Sequence, residues 1–178
     1  LMAIISVTQG NTVAALEYYM LGLECCNEHN VGDVQRSIEI NIGYLYLDTG
    51  MYKEARQYFL SAYARYMAAP ENERDISRLT MIYTNLAESY MLEGDMDNTA
   101  QYIDRIEAEC KPHFGEMDNI YVDSLCTRFY HLIGDAEKRD MYIDDLEKRL
   151  GGRVLIMDIF DDLYEFCLLM LELDRDDI

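Results

Sequence analysis

The chain has 178 residues, half of them apolar, and a composition that excludes several classes of protein. Its 34 acidic residues outnumber its 15 basic residues, and the net charge of −19 argues against partners that are nucleic acids or anionic membranes. No apolar run approaches the roughly 20 residues that a membrane-spanning helix requires, and no β-type alternation occurs. We therefore expect an all-α protein.

The negative charge is concentrated in the second part of the chain. Up to Pro70 there are four basic and seven acidic residues, whereas from Glu71 onward there are eleven basic and twenty-seven acidic residues. The first part thus carries −3 and the second −16. A partner of this chain is expected to be cationic or neutral.

The apolar spacing predicts a helical fragment at 1–9 and then eight helices joined by short loops. These helices are predicted at 12–27, 34–48, 52–69, 76–93, 96–110, 118–133, 135–150 and 153–173. Asp33, Asp75 and Asp95 precede helices as candidate N-caps, and Pro70 ends the helix before it. Because short loops place consecutive helices antiparallel, we expect a series of helical hairpins.

The stretch from Glu39 to Ala62 carries a spacing of small and aromatic residues that returns along the chain. Its members are Gly43, Tyr46, Gly50, Ala55, Phe59 and Ala62. The same offsets recur at Ala87, Tyr90, Gly94, Thr99 and Ile103, more weakly at Thr127, Tyr130, Gly134 and Ile143, and in part at Gly10, Ala15 and Tyr19. Small residues let two helices approach closely, rings fill the space between them, and a glycine ends the first helix of each pair.

This pattern resembles the tetratricopeptide repeat, which reads L-G-x2-Y and then A-x3-F. The resemblance implies an α-solenoid of antiparallel hairpins forming one repeat domain over 1–178. The hairpins are expected at about 1–29, 33–69, 75–110 and 116–150, with another beginning at 153–178. Both ends of the sequence fall within helical patterns, so we expect the domain to be part of a longer chain. The period of 40 to 44 residues exceeds the family's usual roughly 34, which predicts lengthened second helices.

In this family the first helix of each hairpin lines a concave surface that holds peptides. Carried over by register, the resemblance implies a peptide-binding groove of Ser37, Ile40, Asn41, Tyr44, Asp48, Met81, Asn85, Glu88, Met91, Tyr121, Arg128 and His131. Asn41 and Asn85 share one register, and a carboxamide offers both a donor and an acceptor to a peptide backbone. The alternative is that each asparagine bonds a neighbouring helix. Arg128 is the only cation in these registers, so capture of a C-terminal carboxylate is disfavoured.

No residue pattern indicates catalysis, a metal site or a bound cofactor. The histidines His29, His113 and His131 lack a nucleophile or carboxylate at motif spacing. The acidic cluster at 158–165 lacks the alternating ligands and central glycine of a calcium loop. The five cysteines form no C-x-x-C pair and no signal peptide is visible, which is typical of structural thiols in a cytoplasmic protein.

The sequence therefore predicts a non-catalytic scaffold that binds a protein or peptide segment, or another domain of its own chain. Long, acidic, tyrosine-rich repeats of this sort resemble the N-terminal sensor regions of bacterial signalling proteins, including those with a GGDEF diguanylate cyclase domain downstream. Two alternatives stay open. One is a peptide-pheromone-binding regulator of the same repeat family. The other is an architectural module that self-associates as a homodimer through its terminal helices.

Overall fold

The computed structural model describes residues 2–29, 31–114 and 116–150, and these residues form eight α-helices and no β-strand. The helices are α1 (Met2–Thr8), α2 (Thr12–His29), α3 (Gly32–Asp48), α4 (Tyr52–Ala68), α5 (Ile76–Glu93), α6 (Met96–Arg105), α7 (Glu116–Leu132) and α8 (Ala136–Leu150). The predicted all-α class is confirmed. The break expected at 151–152, the helix expected at 153–173, the acidic cluster and Cys167 lie outside the described residues.

Local sequence signals set several helix ends. The side chain of Asp75 accepts a hydrogen bond from the backbone of Ser77 at 3.0 Å and caps α5. Asp95 caps α6 in the same way through the backbone N–H of Asn98. The cap predicted at Asp33 is wrong, because α3 begins at Gly32 and places Asp33 in the first turn. There its carboxylate pairs with the buried Arg36 guanidinium at 2.5 Å.

Four glycines turn the chain at equivalent places. Gly10, Gly50, Gly94 and Gly134 have φ angles of 70°, 76°, 86° and 76°, in the left-handed region that other residues enter at a cost. Each one follows the first helix of a hairpin, so the chain pairs α1 with α2, α3 with α4, α5 with α6, and α7 with α8. The predicted glycine turns are confirmed.

The hairpins stack in chain order into an α-solenoid. Helix α2 packs against α3, and α4 packs against α5, so the second helix of one hairpin covers the first helix of the next. The first helices also meet directly, α3 with α5 and α5 with α7. One hydrophobic core runs through the later hairpins from Ile40 to Tyr142, and a separate cluster joins α1 and α2 to α3. The second helices α2 and α4 have 18 and 17 residues, but the first helices α3 and α5 are as long, with 17 and 18, so the long period is not due to the second helices alone.

Close approach within a hairpin depends on the small residue at its centre. A Cβ added at Gly43 would lie 2.7 Å from Cδ1 and 2.8 Å from Cζ of Phe59, with Cε1 nearer still. The equivalent residues Ala87 and Thr127 are fully buried, as are their ring-position partners Ile103 and Ile143. Positions 43, 87 and 127 are therefore buried alike in successive hairpins.

A pair of tyrosines, twelve residues apart, joins the two helices of three hairpins. Tyr46 stacks on Tyr58, Tyr90 on Tyr102 and Tyr130 on Tyr142, with ring centroids 5.6, 5.8 and 5.7 Å apart. The planes differ by only 20°, 16° and 11°. Aromatic pairs stabilise by about 0.5–1.5 kcal/mol beyond the area they bury. The recurrence of the pair is a second, independent sign that the hairpins share one register.

A polar pair also recurs at one register, between residues 26 apart. Arg65 Nε donates to Glu39 at 2.9 Å, Tyr83 Oη donates to Glu109 at 3.0 Å, and Arg149 Nε donates to Asp123 at 2.9 Å. The first-helix member is buried in all three hairpins. A buried polar group without a partner costs about 1–3 kcal/mol. In each of these three hairpins, a side chain from the second helix therefore provides the hydrogen-bond partner of one buried polar side chain on the first helix.

The second helix of the third hairpin ends differently from the others. After Arg105 the chain continues as a π-helical segment, Ile106–Cys110, in which the N–H of Lys111 bonds the carbonyl of Ile106. The helix predicted at 96–110 is thus confirmed in extent, but its last turn is wider than an α-turn. This turn holds Glu109 beside Tyr83 and Glu107 against the hydroxyl of Tyr142 on α8.

We expect Asp123→Asn to change how stability depends on pH. Burial raises the pKa of Asp123 to about 6, although the Arg149 guanidinium acts in the opposite direction. Because this folded-state pKa lies above the ordinary 3.8, the folded protein binds the proton more tightly. The contribution of Asp123 to the free energy of unfolding therefore rises as the pH falls through about 6 toward about 4.

Urea unfolding at about pH 7 and about pH 4.5 measures this effect, since linkage converts the proton difference into stability. When the pH is lowered, the free energy of unfolding of the wild type should increase relative to that of Asp123→Asn. Asp104→Asn, which removes an exposed carboxylate on α6, controls for the loss of one negative charge. An equal wild-type advantage at both pH values would contradict the raised pKa.

Candidate functional site

The first helices of successive hairpins lie side by side and form one surface. Glu88 on α5 and Arg128 on α7 hold the same register position, and their side chains form an ion pair of 2.5 Å. Both side chains are mostly buried but still reach solvent. The equivalent residue on α3 is Tyr44, which is exposed. Equivalent positions on the three first helices therefore lie on one surface, called here the concave surface after the surface that the family resemblance implies.

The predicted groove residues differ in how far this surface presents them. Exposed residues are Ser37, Tyr44, Asp48 and Met81, and partly exposed ones are Asn41, Glu88, Tyr121, Arg128 and His131. Ile40, Asn85 and Met91 are buried, and Ile40 and Met91 belong to the core. In this conformation those three residues pack the solenoid and present no side chain to a ligand. Peptide binding by the others stays a prediction.

The two asparagines of shared register have different surroundings. Asn41 is partly exposed, whereas Asn85 is only 2% exposed and its Nδ2 donates to no protein acceptor. The alternative in which this carboxamide nitrogen bonds a neighbouring helix is therefore not realised at Asn85. An unpaired buried donor is costly, and this one lies one helical turn from Glu88 on the same helix. A small local shift that opened Asn85 would gain a hydrogen bond with any acceptor entering there.

The charges of the concave surface are partly neutralised within it. Glu88 engages Arg128, while the Nε of Arg128 is buried and makes no hydrogen bond. Asp48 is an exposed carboxylate on α3. With a whole-chain charge of −19, the long-range field at this surface favours cations.

The cysteines of the described part of the chain are mostly buried, and that part contains no cluster of metal ligands. Among residues 2–29, 31–114 and 116–150, no set of three or more histidine, cysteine, aspartate or glutamate side chains could hold a metal ion. Cys26, Cys110 and Cys126 are buried, and burial raises the pKa of Cys126 to about 12. Cys25 is exposed, with its Sγ 3.8 Å from Nδ1 of His29.

Two features of the protein surface were not predicted from the sequence. The Glu88–Arg128 pair joins residues 40 apart, which is the period itself, so the shared register combined with opposite charge would have revealed it. The second is a group of exposed apolar side chains on α1 and α2, including Met2, Ile5 and Tyr18, which the sequence pattern did not predict. None of the described helices is both long and apolar enough to span a bilayer.

Comparison with known proteins identifies the repeat. A family model described as tetratricopeptide repeat matches residues 40–65, the end of α3 and most of α4. No curated protein matches this chain by sequence. The fold is similar to the crystal structure of BtubC (BKLC) from P. vanneervenii, with a TM-score of 0.70 and 20% sequence identity. The match covers 86% of this chain and 63% of that chain, so this chain spans less than two thirds of it.

Folds of this class build extended concave surfaces that bind other proteins. The matched hairpin contains Gly43 and Phe59, whose contact sets the spacing of its helices. The hairpins on either side repeat its turn glycine and its buried pair. Residues 40–65 therefore match the tetratricopeptide repeat, and the described part of the chain is an α-solenoid of helical hairpins.

Proposed function

We propose that the concave surface binds an extended peptide segment, from another protein or from another part of the same polypeptide. The observation that supports this proposal most strongly is the Glu88–Arg128 ion pair. It joins equivalent positions of successive hairpins, so side chains one repeat apart can contact neighbouring residues of one ligand. A repeating row of such positions suits an extended chain better than a compact small molecule.

The composition of the surface favours a peptide with apolar and cationic side chains. Tyr44 and Met81 expose 38% and 44% of their surface, and both residue types adapt to varied apolar partners. The exposed Asp48 and the net charge of −19 attract lysine and arginine. Salt should weaken the interaction, because the attraction of exposed charges is screened over about 10 Å at 0.1 M ionic strength.

Selection from a library of random linear peptides displayed on phage tests the proposal. The wild-type chain should enrich peptides in which aliphatic or aromatic residues alternate with lysine or arginine. Tyr44→Glu and Met81→Glu should each weaken binding of an enriched peptide by about tenfold or more, since a buried apolar contact is lost.

Leu60→Glu is the matched control for these two variants. Leu60 is 43% exposed, close to the values of Tyr44 and Met81, but it lies on the second helix of its hairpin. Its variant should bind the enriched peptides as the wild type does. Failure to enrich any peptide, or equal losses in all three variants, would contradict binding at the concave surface.

We further propose that the repeat domain acts as a regulatory module of a cytoplasmic signalling protein. The support is the resemblance to the sensor regions of bacterial proteins with a GGDEF output domain, combined with a fold that binds proteins. The coding sequence beyond Ile178 in the parent gene tests this. A coiled coil followed by a GGDEF motif supports the proposal, and an immediate stop codon contradicts it.

A further inference from the structure

The solvent side of α4 carries an apolar stripe, although the solvent side of a surface helix is ordinarily polar. Leu60 and Met67 are 43% and 45% exposed, and Ala64 is exposed between them. Because the residues of this stripe are spaced by three and four positions, they lie on one face of the helix. We call the set the α4 stripe, and all its members are exposed: Lys53, Gln57, Leu60, Ala64 and Met67.

The second helices of the other hairpins carry acidic residues at the equivalent positions. The equivalents are Val13, Glu17, Met20, Glu24 and Asn27 in the first hairpin, Asp97, Gln101, Asp104, Ala108 and Lys111 in the third, and Glu137, Met141, Asp144 and Lys148 on α8. Each of these sets contains two acidic residues, whereas the α4 stripe contains none. Single exposed apolar residues are common, but adjacent ones on one face mark an interaction surface.

The charge of the chain indicates which partner fits the α4 stripe. A chain with a net charge of −19 repels a second copy wherever both copies present carboxylates. A cationic partner is attracted instead to the acidic faces of the other second helices. The α4 stripe is therefore the place on the second helices where two copies of this chain approach with the least repulsion.

The α4 stripe is complementary to itself when two α4 helices lie antiparallel. In a two-fold dimer one surface patch meets the same patch of the second copy, so each contact occurs twice. A two-fold axis at the level of Ala62 would place the large Leu60 beside the small Ala64 of the second copy. The same axis would place Gln57 beside Met67. A large side chain opposite a small one lets two helices pack closely.

Charged residues at the two ends of α4 fit the same arrangement. Lys53 lies nine residues before Ala62, and Glu71 lies nine residues after it. The two-fold axis therefore brings Lys53 of each copy near Glu71 of the other. Glu71 is exposed, and the Lys53 side chain is 77% exposed although it lies 3.9 Å from Glu93. A parallel pair of helices would instead place Lys53 beside Lys53.

We propose that α4 pairs antiparallel with α4 of a second copy of this chain and so forms a two-fold homodimer. One helix face is a small interface, so we expect a weak dimer with a Kd of about 1–100 μM. This interface lies on a second helix near the middle of the chain. It does not depend on peptide binding at the concave surface, which the first helices form.

Sedimentation equilibrium of the 178-residue chain, at concentrations up to about 200 μM, should show a monomer–dimer equilibrium. Ala64→Glu should weaken the dimer by about tenfold or more, because it brings two carboxylates into an apolar contact. Ala108→Glu is the matched control. Ala108 is the exposed alanine at the equivalent position of the third hairpin, so this variant adds the same charge and should leave the Kd unchanged.

A charge exchange tests the antiparallel arrangement. Lys53→Glu and Glu71→Lys should each weaken the dimer at low ionic strength, because each variant places like charges together at both ends of the helix pair. The double variant restores opposite charges at both ends and should recover the wild-type Kd. Circular dichroism checks that each variant is folded.

Three results would overturn the inference. The wild-type chain could remain monomeric up to about 200 μM, beyond the expected Kd. Ala108→Glu could weaken the dimer as much as Ala64→Glu, which would show that added charge alone causes the loss, or a dimer could form that neither variant dissociates. The double charge variant could also fail to recover the affinity that its two single variants lose, which would exclude the antiparallel pair.

Discussion

Gly43→Ala should destabilise the protein, although alanine is the better helix former by about 1 kcal/mol. The added methyl group would meet three ring carbons of Phe59, which is fully buried and has no open side to move into. Either α3 and α4 separate or the ring leaves its position. Overpacking of this kind costs about 1–3 kcal/mol, and a clash with a ring lies at the upper end of that range. Urea unfolding of the purified variant measures the loss.

Gly32→Ala is the control for this substitution. A Cβ at Gly32 meets nothing within 4 Å, so this variant should match the wild type or be slightly more stable. The double variant Gly43→Ala with Phe59→Leu should cost less than the two separate losses added together, because leucine frees space for the methyl group. A fully stable Gly43→Ala variant would show that the two helices do not approach as closely as described.

Arg56→Met should weaken the junction between the second and third hairpins by about 1–3 kcal/mol, because the carbonyl of Ser89 loses this donor and the partly exposed Glu93 carboxylate loses a charged partner. Arg56 on α4 is nearly buried and donates to the carbonyl of Ser89 at 3.0 Å and to the Glu93 carboxylate. Its guanidinium also lies 4.4 Å from the ring centroid of Tyr90. Arg56→Lys should recover little of the loss, since an ammonium group cannot reproduce the planar fork. Thermal and urea unfolding report both changes.

Lys53→Met is the matched control on the same helix. Lys53 lies 3.9 Å from the same Glu93 carboxylate, but its side chain is 77% exposed. Exposed pairs contribute about 0–1 kcal/mol, so this variant should unfold nearly as the wild type does. Equal losses of unfolding free energy in the two variants would mean that the removal of a positive charge causes the loss, and that the specific contacts of Arg56 do not.

The hairpin architecture could be predicted because its determinants are local and repeat in the sequence. Each hairpin turn needs a glycine with positive φ, as at Gly50. The helices of a hairpin also need a small residue opposite a large one, as at Gly43 and Phe59, so equivalent residues recur along the chain. The caps at Asp75 and Asp95 could be predicted because each depends on a single side chain and on the backbone of the helical turn that follows it. The same residue type at Asp33 fails as a cap because α3 starts at Gly32, two residues earlier than predicted, and Arg36 binds the Asp33 carboxylate.

The polar contacts between helices and the burial of individual positions could be predicted less well, because equivalent positions keep their geometry but change their chemistry. The polar pair 26 residues apart is Glu39 with Arg65 in one hairpin and Tyr83 with Glu109 in the next. Burial differs too: Asn41 is partly exposed and Asn85 is not, although they share one register. Such differences depend on the side chains that adjacent helices place next to each position. The sequence of a single helix does not specify these neighbours.

The coupling energy between Arg56 and Tyr90 tests most directly whether the hairpins stack as repeats. A double-mutant cycle with Arg56→Met and Tyr90→Leu, followed by urea unfolding, isolates this contact between α4 and α5. The stacked arrangement predicts a coupling of about 1 kcal/mol or more, as expected for a partly desolvated cation over an aromatic ring. The cycle of Lys53→Met with Tyr90→Leu should show additive losses. Additivity within about 0.5 kcal/mol in both cycles would contradict the packing of one hairpin on the next.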